Sequence, residues 1–308
     1  MTHRKGRFFL LALTAAGLAL GADQVDKEKD KDSDLRPTGK DEQKWLKKEA
    51  KPNGVGPSAD ISYHGGPVML GTTNVYVIWY GNWSNNTATT IIPDLFNSIG
   101  GSPYFNINTT YYSQVGTTKS FVSNSVSYKG SINDNYSQGA VLSDAGVQAV
   151  VSAAIAKGVQ NGGLPKDTNG VYFVLTSADV GESSGFCTQY CGWHTYGTIA
   201  GSNIKYSFVG NPDRCPAACS NGTPSPNSNA GADGMASIIA HELEEAVTDP
   251  NLNAWFDRRG QENADKCAWT FGTTYTTSNG GVANVQLGTR DYLIQRNWRA
   301  DTQNCAMQ

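Results

Sequence analysis

Apolar residues in this chain gather in short runs separated by Gly, Ser, Thr and Asn. TTNVYVIWYGNW at 72–83 is β-branched and aromatic and stops at Gly81-Asn82, which predicts a buried strand. TTIIPDLFNSI at 89–99 sets Ile92, Leu95, Phe96 and Ile99 at helical spacing. A strand is expected over 119–128. Ser143-Asp144 then offers an N-cap to a helix over 145–157, with Val147, Val150, Val151, Ala154 and Ile155 on one side and Gly158 at its end. GVYFVLTSADV (170–180) and IKYSFVG (204–210) read as further strands, with GESSGFCTQYCGWHTYG (181–197) as a loop between them. Asp233 is expected to cap a helix from 234 to about 248, ended by Pro250. The tail alternates strand-like VANVQL and DYLIQ with turns. Strands and helices interleave without an internal repeat, so the expected fold class is α/β or α+β, a mixed β-sheet with packed helices.

The first 59 residues break this pattern. Residues 1–22 combine a basic start (His3, Arg4, Lys5, Arg7), an apolar run from Phe8 to Leu20, and the small residues Ala19, Gly21 and Ala22. That is the layout of a cleaved secretory signal, and the run is short for a membrane span. Residues 23–59 are charged and nearly devoid of large apolar side chains, with nine acidic and nine basic residues between Asp23 and Lys51. Such a segment is expected to be a disordered linker or propeptide. One globular domain is expected over 60–308. Of the chain's 24 basic and 27 acidic residues, 12 and 18 fall in that domain. A mildly acidic domain without a basic patch argues against nucleic acid as partner. All six cysteines (Cys187, Cys191, Cys215, Cys219, Cys267, Cys305) lie there, and behind a signal sequence an even count favours disulfide-stabilised loops, the pairing left open. The expectation is an extracellular monomer. N-x-S/T sequons begin at Asn82, Asn85, Asn108, Asn135 and Asn221.

Candidate chemistry concentrates in IIAHELEEAVTDP (238–250), which sets His241 and four carboxylates within nine residues. His241 and Glu245 are i,i+4 neighbours on one helix face, able to reach a common ion, and Glu242 stands where HExxH zinc peptidases carry their general base. Here the second histidine is replaced by glutamate, and imidazole and carboxylate both ligate Zn²⁺. Further ligands are sought among Asp257, Glu262 and Asp265 downstream, with Glu262 or Asp265 completing the site. A histidine helix followed by an acidic ligand resembles the gluzincin metallopeptidases. Glu244, Glu245 and Asp249 also sit where the helix dipole disfavours negative charge, which a cation would reverse. The bland alternative is a solvated acidic face. His194 is a candidate ligand or transition-state hydrogen-bond donor, and His64 a weaker one. Ser183 in G-E-S-S-G lacks the strand-to-helix context of a nucleophile elbow. Zn²⁺ is the expected ion, with irregular Ca²⁺ coordination by Asp249, Asp257 and Glu262 as the alternative.

Several segments together resemble the EXORDIUM-like family, also called phosphate-induced proteins: SYHGGPVM with NVYVIWYGNW, VYFVLTSADV leading into GFCTQYCGWH, SFVGNPDRCPAAC, DGMASIIAHELEEAVTDPNLNAWF, and YLIQRNW with Cys305. The resemblance implies an extracellular, cell-wall-associated protein linked with growth control. The order of helices and strands is also similar to a zincin upper domain. Together these suggest a metal-dependent peptidase, with Glu242 activating a water and a peptide or cell-wall component as partner. The alternative is a non-enzymatic wall-associated or carbohydrate-associated signalling protein with a structural ion or none, its contacts made by aromatics such as Trp79, Tyr80 and Trp83.

Overall fold

The computed structural model describes residues 60–308, so the expected signal sequence and charged linker lie outside the described residues. At the centre is a five-stranded sheet of β1 (Thr73–Tyr80), β2 (Val126–Asp134), β3 (Gly170–Thr176), β4 (Gly192–Ile199) and β5 (Ser202–Val209). Its order is β2-β1-β3-β5-β4, with β2, β1, β3 and β5 parallel and β4 antiparallel at the edge. The fold is thus α+β with a mixed sheet, as the alternating pattern predicted. Central parallel strands are covered on both faces and read as continuous apolar runs. Accordingly seven of eight residues of β1 and all seven of β3 are buried.

Three helices pack on the sheet: α1 (Ala88–Ile99), α2 (Asp144–Lys157) and α3 (Ala230–Thr248). Strand parity decides which face each covers. Phe173 of β3 lies against Phe96 of α1, ring centroids 5.3 Å apart. Ser207 pairs with Phe173 on one side and with His194 on the other, so His194 shares the face that α1 covers. On that face a Cβ at Gly192 would meet Ile238 and Glu242 of α3, whereas one at Gly197, of opposite parity, would meet Gln148 of α2. Helices α1 and α3 therefore lie on one face and α2 on the other.

Three sequence expectations are corrected. The expected loop 181–197 contains most of β4, because alternation of Gly192, His194 and Tyr196 with Trp193 and Thr195 is hidden by two glycines that admit helices closely. The expected strand 119–128 is two pieces: Thr118–Phe121 forms a hairpin with Tyr112–Val115, and Val126 begins β2. Helix α3 begins a turn earlier than expected, with Asn229 capping it by accepting from the Ala232 amide; Asp233 is buried and accepts from Asn227 instead.

The disulfides join Cys187 to Cys215, Cys191 to Cys219, and Cys267 to Cys305. The two C-x3-C segments are thereby bonded to each other. Asn108 is fully buried, so its sequon is closed to modification in the folded chain.

Candidate metal centre

Helix α3 is buried along nearly its whole length, including Glu242, Glu244 and Glu245 at 0% exposure, so the solvated acidic face is ruled out. Ionised carboxylates taken from water cost several kcal/mol each unless something compensates them. The compensation comes from three segments. The i,i+4 spacing brings His241 Nε2 to 3.0 Å from Glu245 Oε1. Edge strand β4 contributes His194, whose Nε2 is 3.8 Å from Glu245 Oε2 and 3.1 Å from Glu262 Oε2. Asp265 places Oδ1 3.6 Å from His241 Nε2 and donates its amide to Glu245 Oε1 at 2.9 Å.

The route from helix to downstream acids is built locally. Asp249 Oδ1 accepts from the amides of Asn253 and Ala254, which turns the chain as α3 ends. Trp255–Phe256 then pairs with Ser62–Tyr63. Glu262 donates its amide to Asp265 Oδ2, and the 3₁₀ turn Asp265–Cys267 is tied to Cys305. Asp257 does not reach the centre: Lys266 pairs with it at 2.9 Å, and the amides of Arg259 and Gln261 donate to it. Asp249 Oδ1 serves the turn, and Asp249, Asp257 and Glu262 do not converge on a common point among the described residues, so the alternative calcium set is not assembled. His64 stacks on Phe256 at the surface, and Ser183 is exposed beside Leu142.

Burial and charge oppose each other here. Burial pushes the His194 imidazole down to about 4, so it is neutral near pH 7. Burial also disfavours the charged form of His241, but Glu245 and Asp265 beside it raise it well above its usual value. Burial works against the Glu245 carboxylate too, yet His241 holds it below the usual range. Asp265 is pushed up to about 7 by burial and then by the charge of Glu245.

Several donor atoms have no hydrogen bond despite burial. His241 Nε2 faces Glu245 and Asp265 without the alignment of one, and Glu245 Oε2 and both Glu242 oxygens also lack a partner. His194 Nε2 and Glu262 Oε2 do hydrogen-bond each other at 3.1 Å, and the buried imidazoles and carboxylates converge closely enough that they could hold a metal ion. The donors form two sets, His241/Glu245/Asp265 and His194/Glu245/Glu262.

Gly192 carries no signal in the sequence, but a Cβ there would lie 2.7 Å from Ile238 Cγ2 and 2.9 Å from the Phe208 carbonyl. The backbone contact cannot yield. Gly192→Ala is therefore expected to push α3 off β4 and to destabilise the fold by about 1–3 kcal/mol. Urea unfolding checks this, and a midpoint equal to wild type would remove Gly192 from the account.

Residues 61–308 match the family described as phosphate-induced protein 1 conserved region, and this chain belongs to that family. Among curated relatives it is 33% identical over 273 residues to protein EXORDIUM-like 3 of Arabidopsis thaliana, covering 77% of this chain and 80% of the relative. It is 32% identical over 288 residues to protein EXORDIUM-like 5 of the same plant, covering 80% and 77%. Protein PHOSPHATE-INDUCED 1 of Nicotiana tabacum is 25% identical over 292 residues, covering 80% and 87%. No solved structure matches.

Proposed function

We propose that this chain is an extracellular, monomeric protein with a divalent-metal centre, zinc before calcium, and that the centre hydrolyses amide bonds in a peptide or cell-wall component. The observation that carries this is the set of fully buried donor atoms on α3, His241 Nε2, Glu245 Oε2 and both Glu242 oxygens, left without hydrogen bonds. Three disulfides support an oxidising compartment, and no helix among the described residues is long and apolar enough to cross a membrane. His241 and Glu245 would hold the ion with Asp265 or Glu262. A divalent ion in such a site supplies Lewis-acid polarisation of a carbonyl. Burial raises Glu242 well above its usual value, and a cation bound beside it would favour the ionised carboxylate, which would take a proton from an attacking water and return it to the leaving amine. His194, neutral at pH 7, would serve either as a ligand or as a hydrogen-bond donor.

A second reading, a structural ion in a non-enzymatic wall-associated or signalling protein, is favoured by closure. His194, His241, Glu245 and Glu262 are each no more than 2% exposed, and structural sites are closed whereas catalytic ones keep an open position. Carbohydrate contact through Trp79, Tyr80 and Trp83 is set aside, because they are 3%, 0% and 7% exposed.

Metal analysis of the purified chain with His241→Ala and Glu242→Gln separates these. The hydrolytic reading expects stoichiometric metal in wild type, loss in His241→Ala, and retention in Glu242→Gln with hydrolysis of a peptide panel reduced about 10²–10⁴-fold. Metal retained with hydrolysis unchanged by Glu242→Gln selects the structural ion; no metal in wild type sinks both.

A further inference from the structure

We propose that the centre holds two divalent ions rather than one, with Glu245 as the carboxylate shared between them. The inference rests on the metal reading above and goes beyond it in stoichiometry and in the role of each side chain.

The first argument is distance. An ion about 2.0–2.2 Å from each ligand can serve donors no more than about 4.4 Å apart. The donors here do not form one set: His241 and His194 fall in different groups, each closed within 4.8 Å, and only Glu245 belongs to both. Glu245 presents one oxygen to each, Oε1 at 3.0 Å from His241 Nε2 and Oε2 at 3.8 Å from His194 Nε2. Each half then has the same composition: one imidazole, one terminal carboxylate (Asp265 or Glu262) and one oxygen of the shared glutamate. Paired ions about 3.5–4 Å apart are the arrangement of two-metal hydrolytic sites.

The second argument is independent of the first and comes from unpartnered atoms. His241 Nε2 and Glu245 Oε2 are fully buried, have no hydrogen bond, and point to different halves of the cluster. An ion in the His241 half alone would leave Glu245 Oε2 neither ligating nor hydrogen-bonded, and an ion in the His194 half alone would leave His241 Nε2 so.

The test is a count of ions on the full chain. Dialysed against Zn²⁺ and measured by elemental analysis, wild type is expected to retain two ions per chain, and His194→Ala and His241→Ala one each. One ion on wild type overturns the shared-carboxylate site and leaves the single-metal reading standing; none overturns both. Because a variant at a buried position can fail to fold, the unmodified chain supplies a second measurement. Titrated with Mn²⁺, it is expected to give an exchange-coupled electron paramagnetic resonance spectrum as the second equivalent binds. An isolated six-line spectrum that saturates at one equivalent overturns the proposal.

Discussion

Replacing Cys191 and Cys219 together by alanine is expected to lower the stability of the folded chain by about 2–3 kcal/mol. Because Cys187–Cys215 already closes the same 28-residue span, this bond closes only the ring made by the two C-x3-C segments, and the loop-closure entropy of a ring of about ten residues is of that size. Both cysteines are fully buried, so truncation also leaves a small void that adds to the loss. The position of the bond makes its effect specific. Cys191 immediately precedes β4, three residues before His194. Cys219 ends the turn Pro216–Cys219, which with Pro212 lies against Gly234 of α3. The disulfide therefore ties the antiparallel edge of the sheet to the segment seated on the helix. Its removal is expected to loosen His194 and Glu262 before His241 and Glu245, which α3 holds through its own hydrogen bonds. Urea unfolding gives the magnitude, and metal content of the folded variant gives the order of loss. A change below about 1 kcal/mol would show that packing alone fixes the edge strand.

What the sequence made legible was what local pattern controls. The spacing of Ile92, Leu95, Phe96 and Ile99 is set within one helix, and the runs at β1 and β3 are apolar because both faces are covered. The pairing of His241 with Glu245 was legible for the same reason, since i,i+4 geometry needs no knowledge of the rest of the chain. Edge strand β4 was not legible: glycine is a poor strand former, and Gly192 and Gly197 are explained only by Ile238 and Gln148, far along the chain. The choice between Asp257 and the pair Glu262 and Asp265 depended on pairing of Trp255–Phe256 with Ser62–Tyr63, and on Lys266 drawing Asp257 away. The disulfide pairing is likewise a product of the whole fold. Helix composition also misleads on exposure, because carboxylates are rarely fully buried. Here burial of Glu242, Glu244 and Glu245 is the property that gives the helix its chemistry.

Glu244 is a buried acid of α3 that belongs to neither donor set of the candidate metal centre, and it yields the pH-dependent prediction. Its two oxygens have no hydrogen bond. The neighbouring Tyr104 hydroxyl is given to the Gln295 carbonyl, and the Asn297 amide to Asn108. Burial raises Glu244 well above its usual value, and Tyr104, His241 and Asn297 offset this only in part. The folded chain therefore keeps a proton on Glu244 at pH values where the unfolded chain has released it. With fewer protons bound in the unfolded state, stability falls as pH rises from about 4.3, the unfolded carboxyl value, towards the raised folded value. The slope contributed by one such group is at most about 1.4 kcal/mol per pH unit. Glu244→Gln keeps the shape and removes the titration, so the variant is expected to match wild type near pH 4 and to exceed it increasingly between pH 5 and 8. Other groups titrate in the same interval: Asp249 is pushed up to about 6 by burial, and Asp265 to about 7. They are present in both proteins, so the difference between the two stability curves isolates Glu244. Measured by urea unfolding with chelator present throughout, parallel curves would mean that Glu244 is ionised in the folded chain and compensated by a neighbour.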